Sequence, residues 1–172
     1  MIDYDLTKIK GFFFDVDGVL SSETTTMGSD GVPLRTVNIK DGYILQLAVK
    51  LGYHVAIITG AGIEAIRKRY EGLGITEVHL KSGVKLPIYE NLLKKWNLSP
   101  EETLFMGDDI PDYEVMKTCG LPCCPKDAAD EIKQVAKYIS FKKGGKGCVR
   151  EVMEQVLRSQ GKWVLDNTAF GW

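Results

Sequence analysis

Asp15 and Asp17 stand two residues apart, after an apolar run and before a glycine, in Phe12-Phe13-Phe14-Asp15-Val16-Asp17-Gly18. Carboxylates this close repel each other, and a fold gains nothing from the pair unless positive charge sits between them. A divalent cation is the simplest source, and ligands that are all oxygen suit Mg²⁺. Similar chemistry recurs along the chain. Thr59-Gly60 follows the apolar run 55–58, Gly107-Asp108-Asp109-Ile110-Pro111-Asp112 follows the run 103–106, and Lys85 lies between them. Singly, each has a plainer reading: a strand-end threonine, a solvated lysine, an acidic helix start that favours the dipole. Jointly they form the set that holds Mg²⁺ and a phosphoryl group. The cation offsets the acids, Lys and Thr cradle the phosphate oxygens, and one carboxylate is left to attack phosphorus.

These groups can meet only if the elements before them point the same way. Residues 12–14 read as a strand buried on both faces, and so do 55–58 and 103–106. Shorter strands are expected at 76–80, 121–124 and 138–140. Helical spacing is expected at 42–51, with Asp41 as its N-cap, and at 62–71, 84–96, 111–118, 128–135 and 148–157. Strand and helix alternate, which predicts an α/β fold: a Rossmann-like parallel sheet in three α/β/α layers, with right-handed crossovers. In such sheets ligands bind at the carboxyl ends of the strands. The one sizeable insertion, residues 22–40, has β-prone arms at 24–27 and 32–39 around Gly28-Ser29-Asp30-Gly31, a hairpin signal. The tail 159–172 shows no period and carries Trp163, Phe170 and Trp172.

Composition narrows the classes. The chain has 172 residues, 26% of them charged and 44% hydrophobic, with a formal net charge of −1. It reads as one soluble globular domain over 1–172 with no nucleic-acid or membrane surface. No apolar run approaches the roughly 18 residues of a membrane span, and the acidic start Met1-Ile2-Asp3-Tyr4-Asp5 lacks the core of a signal peptide. A cytoplasmic protein is expected. Cys119, Cys123, Cys124 and Cys148 form no metal-binding spacing and read as buried thiols.

At the level of motifs the chain resembles the haloacid-dehalogenase-like phosphatases. Asp15-Val16-Asp17-Gly18-Val19 matches their first motif, Thr59 the second, Lys85 the third and Gly107-Asp108-Asp109-Ile110-Pro111-Asp112 the fourth. The resemblance implies that Asp15 is the nucleophile that becomes an aspartyl-phosphate, and that Asp17 is the general acid and then the base. It implies that Thr59 and Lys85 hold the phosphoryl group. Mg²⁺ would be bound by Asp15, the Asp17 main-chain carbonyl and Asp108, with Asp109 and Asp112 in support. Neither inter-motif gap has room for a cap domain, so the chain resembles the capless subgroup. Its hairpin, Asp41-Gly42-Tyr43 and the stretch 143–151 are similar to phosphatases of phosphorylated keto-deoxy sugar acids. That similarity implies 3-deoxy-D-manno-octulosonate 8-phosphate as substrate and a homotetramer whose hairpins pack together while a neighbour closes the site. Ala61 and Val84 stand where that group often has Arg and Asp, so 9-phospho-nonulosonates remain the alternative. Gly60, Arg67, Lys143, Lys146 and Arg150 are the candidates to meet the sugar acid. Two other classes fit less well. A phospho-receiver domain would carry its lone Asp on the third strand, which here offers only Glu77; a non-catalytic activator subunit would be expected to lack a motif, and none is missing.

Overall fold

The computed structural model describes residues 1–164 and 167–171. In chain order its elements are β1 (Gly11–Phe14), β2 (Thr26–Met27), β3 (Pro33–Leu34), α1 (Ile39–Lys50), β4 (His54–Ile58), α2 (Glu64–Glu71), β5 (Glu77–His79) and α3 (Leu86–Trp96). There follow β6 (Thr103–Met106), α4 (Tyr113–Thr118), β7 (Leu121–Cys124), α5 (Asp130–Val135), β8 (Tyr138–Ile139) and α6 (Cys148–Ser159).

Six strands form one sheet in the order β5-β4-β1-β6-β7-β8, and every pairing in it is parallel. Alternation along β1 divides the core. Phe12 and Phe14 join one apolar cluster with Ile44 and Leu45 of α1, Tyr70 of α2 and Val152 and Val156 of α6. Phe13 joins the other, with Tyr89 and Leu92 of α3, Met116 of α4 and Ile132 of α5. The result is three layers, helix on sheet on helix. Each of the three phenylalanines is fully buried, and burying such a side chain is worth about 1.5–3 kcal/mol.

The chain leaves β1 toward β4 on one side, and β6 fills the other side. Strand order thus reverses beside β1, and the loops after β1 and β6 part there to leave a crevice. This topology places Asp15 at the mouth of that crevice.

Three local expectations are corrected. The N-cap of α1 is Asn38, not Asp41: the Asn38 side chain accepts from the N–H groups of Lys40 and Asp41 at 2.9 and 3.2 Å. The helix therefore starts at Ile39, inside the stretch read as hairpin. The hairpin itself has only two-residue arms, β2 and β3, with Thr26 opposite Leu34 and Met27 opposite Pro33. Ser99-Pro100-Glu101-Glu102, whose Ser-Pro-acid pattern predicts the start of a helix, closes a single 3₁₀ turn with a complete capping box instead. Ala169, in the turn Asn167–Phe170, is buried, and its carbonyl accepts from the Tyr43 hydroxyl. Trp172 lies outside the described residues.

Candidate active site

The β1 ladder continues one bond beyond the strand. Asp15 N–H donates to the Met106 carbonyl at 3.1 Å, so the strand is still held where its carboxylate emerges. Gly18 then turns the chain at φ +84°, where a side chain is strained, and a Cβ there would overlap the Asp108 carboxylate. Glycine is what lets the first acidic turn close on the fourth. On the other flank of β1, Thr59 follows β4, its N–H bonded to the His79 carbonyl. Its Oγ1 accepts from the Ala61 N–H at 3.2 Å. Lys85 enters from the start of α3.

These side chains converge. Lys85 Nζ lies 2.9 Å from Asp15 Oδ1 and 2.6 Å from Asp112 Oδ1, with its own side chain 2% exposed. Asp112 Oδ2 accepts from the Asp108 N–H at 3.0 Å, which folds the acidic turn onto itself. Asp109 is the N-cap of the 3₁₀ turn Ile110–Asp112. The convergence opens into a cavity of about 630 Å³ lined by Asp15, Asp17, Thr59, Gly60, Lys85, Asp108 and Asp109 among others.

Its electrostatics favour a cation. Burial, then repulsion from Asp112, raises the Asp15 carboxyl well above the ordinary carboxylate range; Lys85 opposes this. Asp108 is pushed up to about 8, by burial first and then by Asp15, Asp112 and Asp109. Burial opposes the charge on Lys85, but Asp15 and Asp112 outweigh it and raise its pKa. One ammonium thus serves a group of acids too large for it. Asp108 Oδ1 is buried without a partner, and carboxylate oxygens of Asp15, Asp108 and Asp112 lie within 4.8 Å of one another. An all-oxygen set with a surplus of negative charge fits Mg²⁺. Asp17 is not part of this set; its carboxylate pairs with Arg35.

The remaining candidates lie elsewhere in the single chain. Arg67 pairs with Glu64 and Glu71 and donates to the Val78 carbonyl at 2.7 Å. Lys146 and Arg150 line a separate groove, and Lys143 lines neither. Arg150 stacks on Trp163 and Tyr43 and pairs with Glu154. The glycines among the loop lysines have a role of their own. Gly145 N–H donates to the Val19 carbonyl at 2.8 Å, and a Cβ on Gly144 would overlap the Gly18 carbonyl. The loop is packed behind the turn that carries Asp15 and Asp17. Glu23, Ser82 and Asp127 also line the cavity. No spacing signal marks them, since each comes from an irregular loop.

A parallel sheet whose switch point gathers a carboxylate, a hydroxyl, an ammonium and an oxygen-only metal set defines a phosphoryl-transfer hydrolase. A family model described as haloacid dehalogenase-like hydrolase matches residues 77–151. The 3-deoxy-D-manno-octulosonate 8-phosphate phosphatase of Escherichia coli K12 is 38% identical over 154 residues, 90% of this chain and 82% of the relative. The crystal structure of the phosphatase of the same name from Yersinia pestis has a TM-score of 0.88 at 35% identity, covering 95% of this chain and 87% of that one. That from Moraxella catarrhalis, solved with magnesium, phosphate and KDO, has a TM-score of 0.89 at 30% identity, covering 97% and 96%. The chain belongs to the haloacid dehalogenase-like hydrolases, in the family of these phosphatases. It is a phosphoric monoester hydrolase with the Mg²⁺ chemistry of that family.

Proposed function

We propose that this enzyme hydrolyses 3-deoxy-D-manno-octulosonate 8-phosphate to the free sugar acid and phosphate. The observation that carries the reading is the buried Asp15–Lys85–Asp112 group beside the unpartnered Asp108 oxygen, in a chain 38% identical to a phosphatase of that substrate. In this reading Asp15 attacks phosphorus and forms an aspartyl-phosphate. Asp17 gives its proton to the departing alkoxide and later takes one from the attacking water. Lys85 and Thr59 hold the phosphoryl oxygens, Lys85 also keeping Asp15 ionised against its burial. Asp15, the Asp17 carbonyl and Asp108 would hold Mg²⁺, which would neutralise charge on the phosphoryl group, with Asp109 and Asp112 in support.

The assembly and compartment complete the proposal. Met27, Leu34, Val37 and Ile39 are exposed large apolar residues on or beside the hairpin, and a two-stranded ribbon alone is marginally stable. A homotetramer with packed hairpins would cover them and let a neighbour's Lys143, Lys146 or Arg150 reach the sugar carboxylate. Four free buried thiols suit a reducing, cytoplasmic setting. Among the described residues no helix is long and apolar enough to cross a membrane. Phosphate release from a panel of 8- and 9-phosphorylated keto-sugar acids, with Mg²⁺ and with a chelator, tests the activity; preference for a 9-phosphate would reject the substrate. Sedimentation at micromolar concentration tests the assembly, and a fully active monomer would reject it.

A further inference from the structure

Arg35, one residue past β3, lays its guanidinium on Asp17. Nη2 donates to Asp17 Oδ2 at 2.8 Å. Nε stands 2.8 Å from Asp17 Oδ1, close enough for an ion pair, yet it is buried and off the line of a directed hydrogen bond. Oδ2 is therefore held in a directed hydrogen bond, while Oδ1 lies against the same guanidinium outside one.

The guanidinium is itself held. Nη1 is tied back to the Pro33 carbonyl at 3.2 Å. The backbone next to it is stapled to the catalytic turn: Thr36 N–H donates to Ser21 Oγ at 3.0 Å, and Ser22 N–H to Thr36 Oγ1 at 2.9 Å. Among the described residues, this is the only ion pair linking the hairpin to a motif carboxylate.

Stability is a poor reason for the pair. The Asp17 side chain is 48% exposed, and ion pairs open to water contribute about 0–1 kcal/mol. Direction is a better one. Asp17 shares the cavity with Asp15, Asp108, Asp109 and Glu23, all of which push a carboxylate outward. A planar cation gripping one oxygen fixes the carboxyl in a single orientation against that push.

We propose that Arg35 is a positioning residue: by holding Asp17 Oδ2 it presents Oδ1 to the ester oxygen that leaves phosphorus. The idea rests on the phosphatase reading above. In the first half-reaction Asp15 forms a bond to phosphorus, the bond from phosphorus to the ester oxygen breaks, and that oxygen takes the proton from Asp17 Oδ1. In the second, water attacks phosphorus and returns a proton to Asp17, and the bond from phosphorus to Asp15 breaks. Both acids end as they began.

The discriminating measurement is leaving-group dependence. An alkoxide needs the Asp17 proton to depart, whereas p-nitrophenolate leaves without it. Full general acid catalysis is worth about 10²–10⁴-fold, so partial misalignment should cost a fraction of that. In Arg35→Met, kcat/KM with Mg²⁺ on the best alkyl phosphomonoester of the panel should fall at least tenfold, and on p-nitrophenyl phosphate less than twofold. Arg35→Lys, which keeps the charge but not the planar fork, should recover part of the alkyl rate. Equal losses on both esters would overturn the proposal, because they would mark a structural or phosphate-binding role. Unchanged rates on both would overturn it too. Wild-type Mg²⁺-dependent turnover of the two esters is the separate check on the parent reading; a wild type inactive on both would overturn reading and inference together.

Discussion

Lys85 and Asp112 meet 27 residues apart in sequence, Nζ donating to Oδ1 at 2.6 Å with both side chains buried. Lys85 reaches Asp15 with the same ammonium. Two acids from different strand ends are thereby held by one cation, and the position assigned to the nucleophile depends on it. Removing one partner of a buried pair costs about 3–5 kcal/mol, because the remaining charge is left uncompensated. Lys85→Met should lose stability on that order in metal-free buffer, read by urea unfolding, and should lose nearly all turnover. Mg²⁺ should restore part of the stability and none of the rate. Restored turnover would show that Lys85 serves charge balance alone.

Asp15→Asn separates nucleophile from scaffold. An amide cannot attack phosphorus, while it relieves the burial and repulsion that raise the Asp15 carboxyl. The variant should fold with stability equal to or above wild type and show no turnover. Normal phosphate release from amide-intact protein would remove Asp15 from the nucleophile's role.

Asp108 and Asp17 should part company in a Mg²⁺ titration. Asp108 offers an unpartnered buried oxygen, whereas the Asp17 carboxylate is engaged by Arg35. Asp108→Ala should weaken Mg²⁺ binding at least tenfold by calorimetry. Asp17→Asn should keep most of that affinity and lose rate on alkyl esters. Equal loss of metal affinity in the two variants would reject this division.

Much of this was legible in the sequence because the signals are local. Strands β6 and β7 appear at their expected bounds, since short apolar runs flanked by breakers leave little choice. The motif residues Asp15, Thr59, Lys85 and Asp108 line one cavity as expected, because parallel topology brings the ends of β1, β4 and β6 to one edge and Lys85 enters there from the start of α3. Arg35 was not legible. Its partner lies across a hairpin whose fold-back depends on Thr36 meeting Ser21 and Ser22, and no periodicity encodes that. The loop lysines stand out by charge, while the glycines between them carry the contact with the turn that bears Asp15 and Asp17. Asp41 passed for an N-cap because an acid before a helical run usually is one; Asn38 stands three residues earlier with the same capacity.

Gly144 puts that loop contact to the test. A Cβ there would overlap the Gly18 carbonyl, which is backbone and cannot step aside cheaply. Gly144→Ala should push the turn bearing Asp15 and Asp17 and cut kcat at least tenfold. Gly161→Ala, where a Cβ meets nothing but φ is +66°, serves as the control: it should cost about 1–2 kcal/mol of stability by strain alone and leave kcat unchanged. Equal effects on kcat would deny the loop its backing role.

Asp41 gives the fold a pH dependence of its own. Its side chain sits buried at the start of α6, Oδ1 accepting from the Arg150 N–H at 2.6 Å and Oδ2 without a partner. Burial raises its carboxyl from 3.8 to about 6, against the Arg150 N–H and charge that pull it down. The unfolded chain releases this proton near the ordinary value; the folded chain keeps it until about pH 6. Between these values the folded state binds the extra proton. The stabilisation is therefore fully present below the unfolded pKa and is lost as pH rises through the folded one. At about 1.4 kcal/mol per pH unit the loss is on the order of 3 kcal/mol. Asp41→Asn keeps an acceptor for Arg150 and cannot titrate. Its urea midpoint should gain on wild type as the buffer goes from about pH 4.5 to 7, and the gap should stay level above that. A gap that does not change with pH would mean that Asp41 ionises in the folded protein as freely as in the unfolded chain, and that its buried oxygen has found a partner.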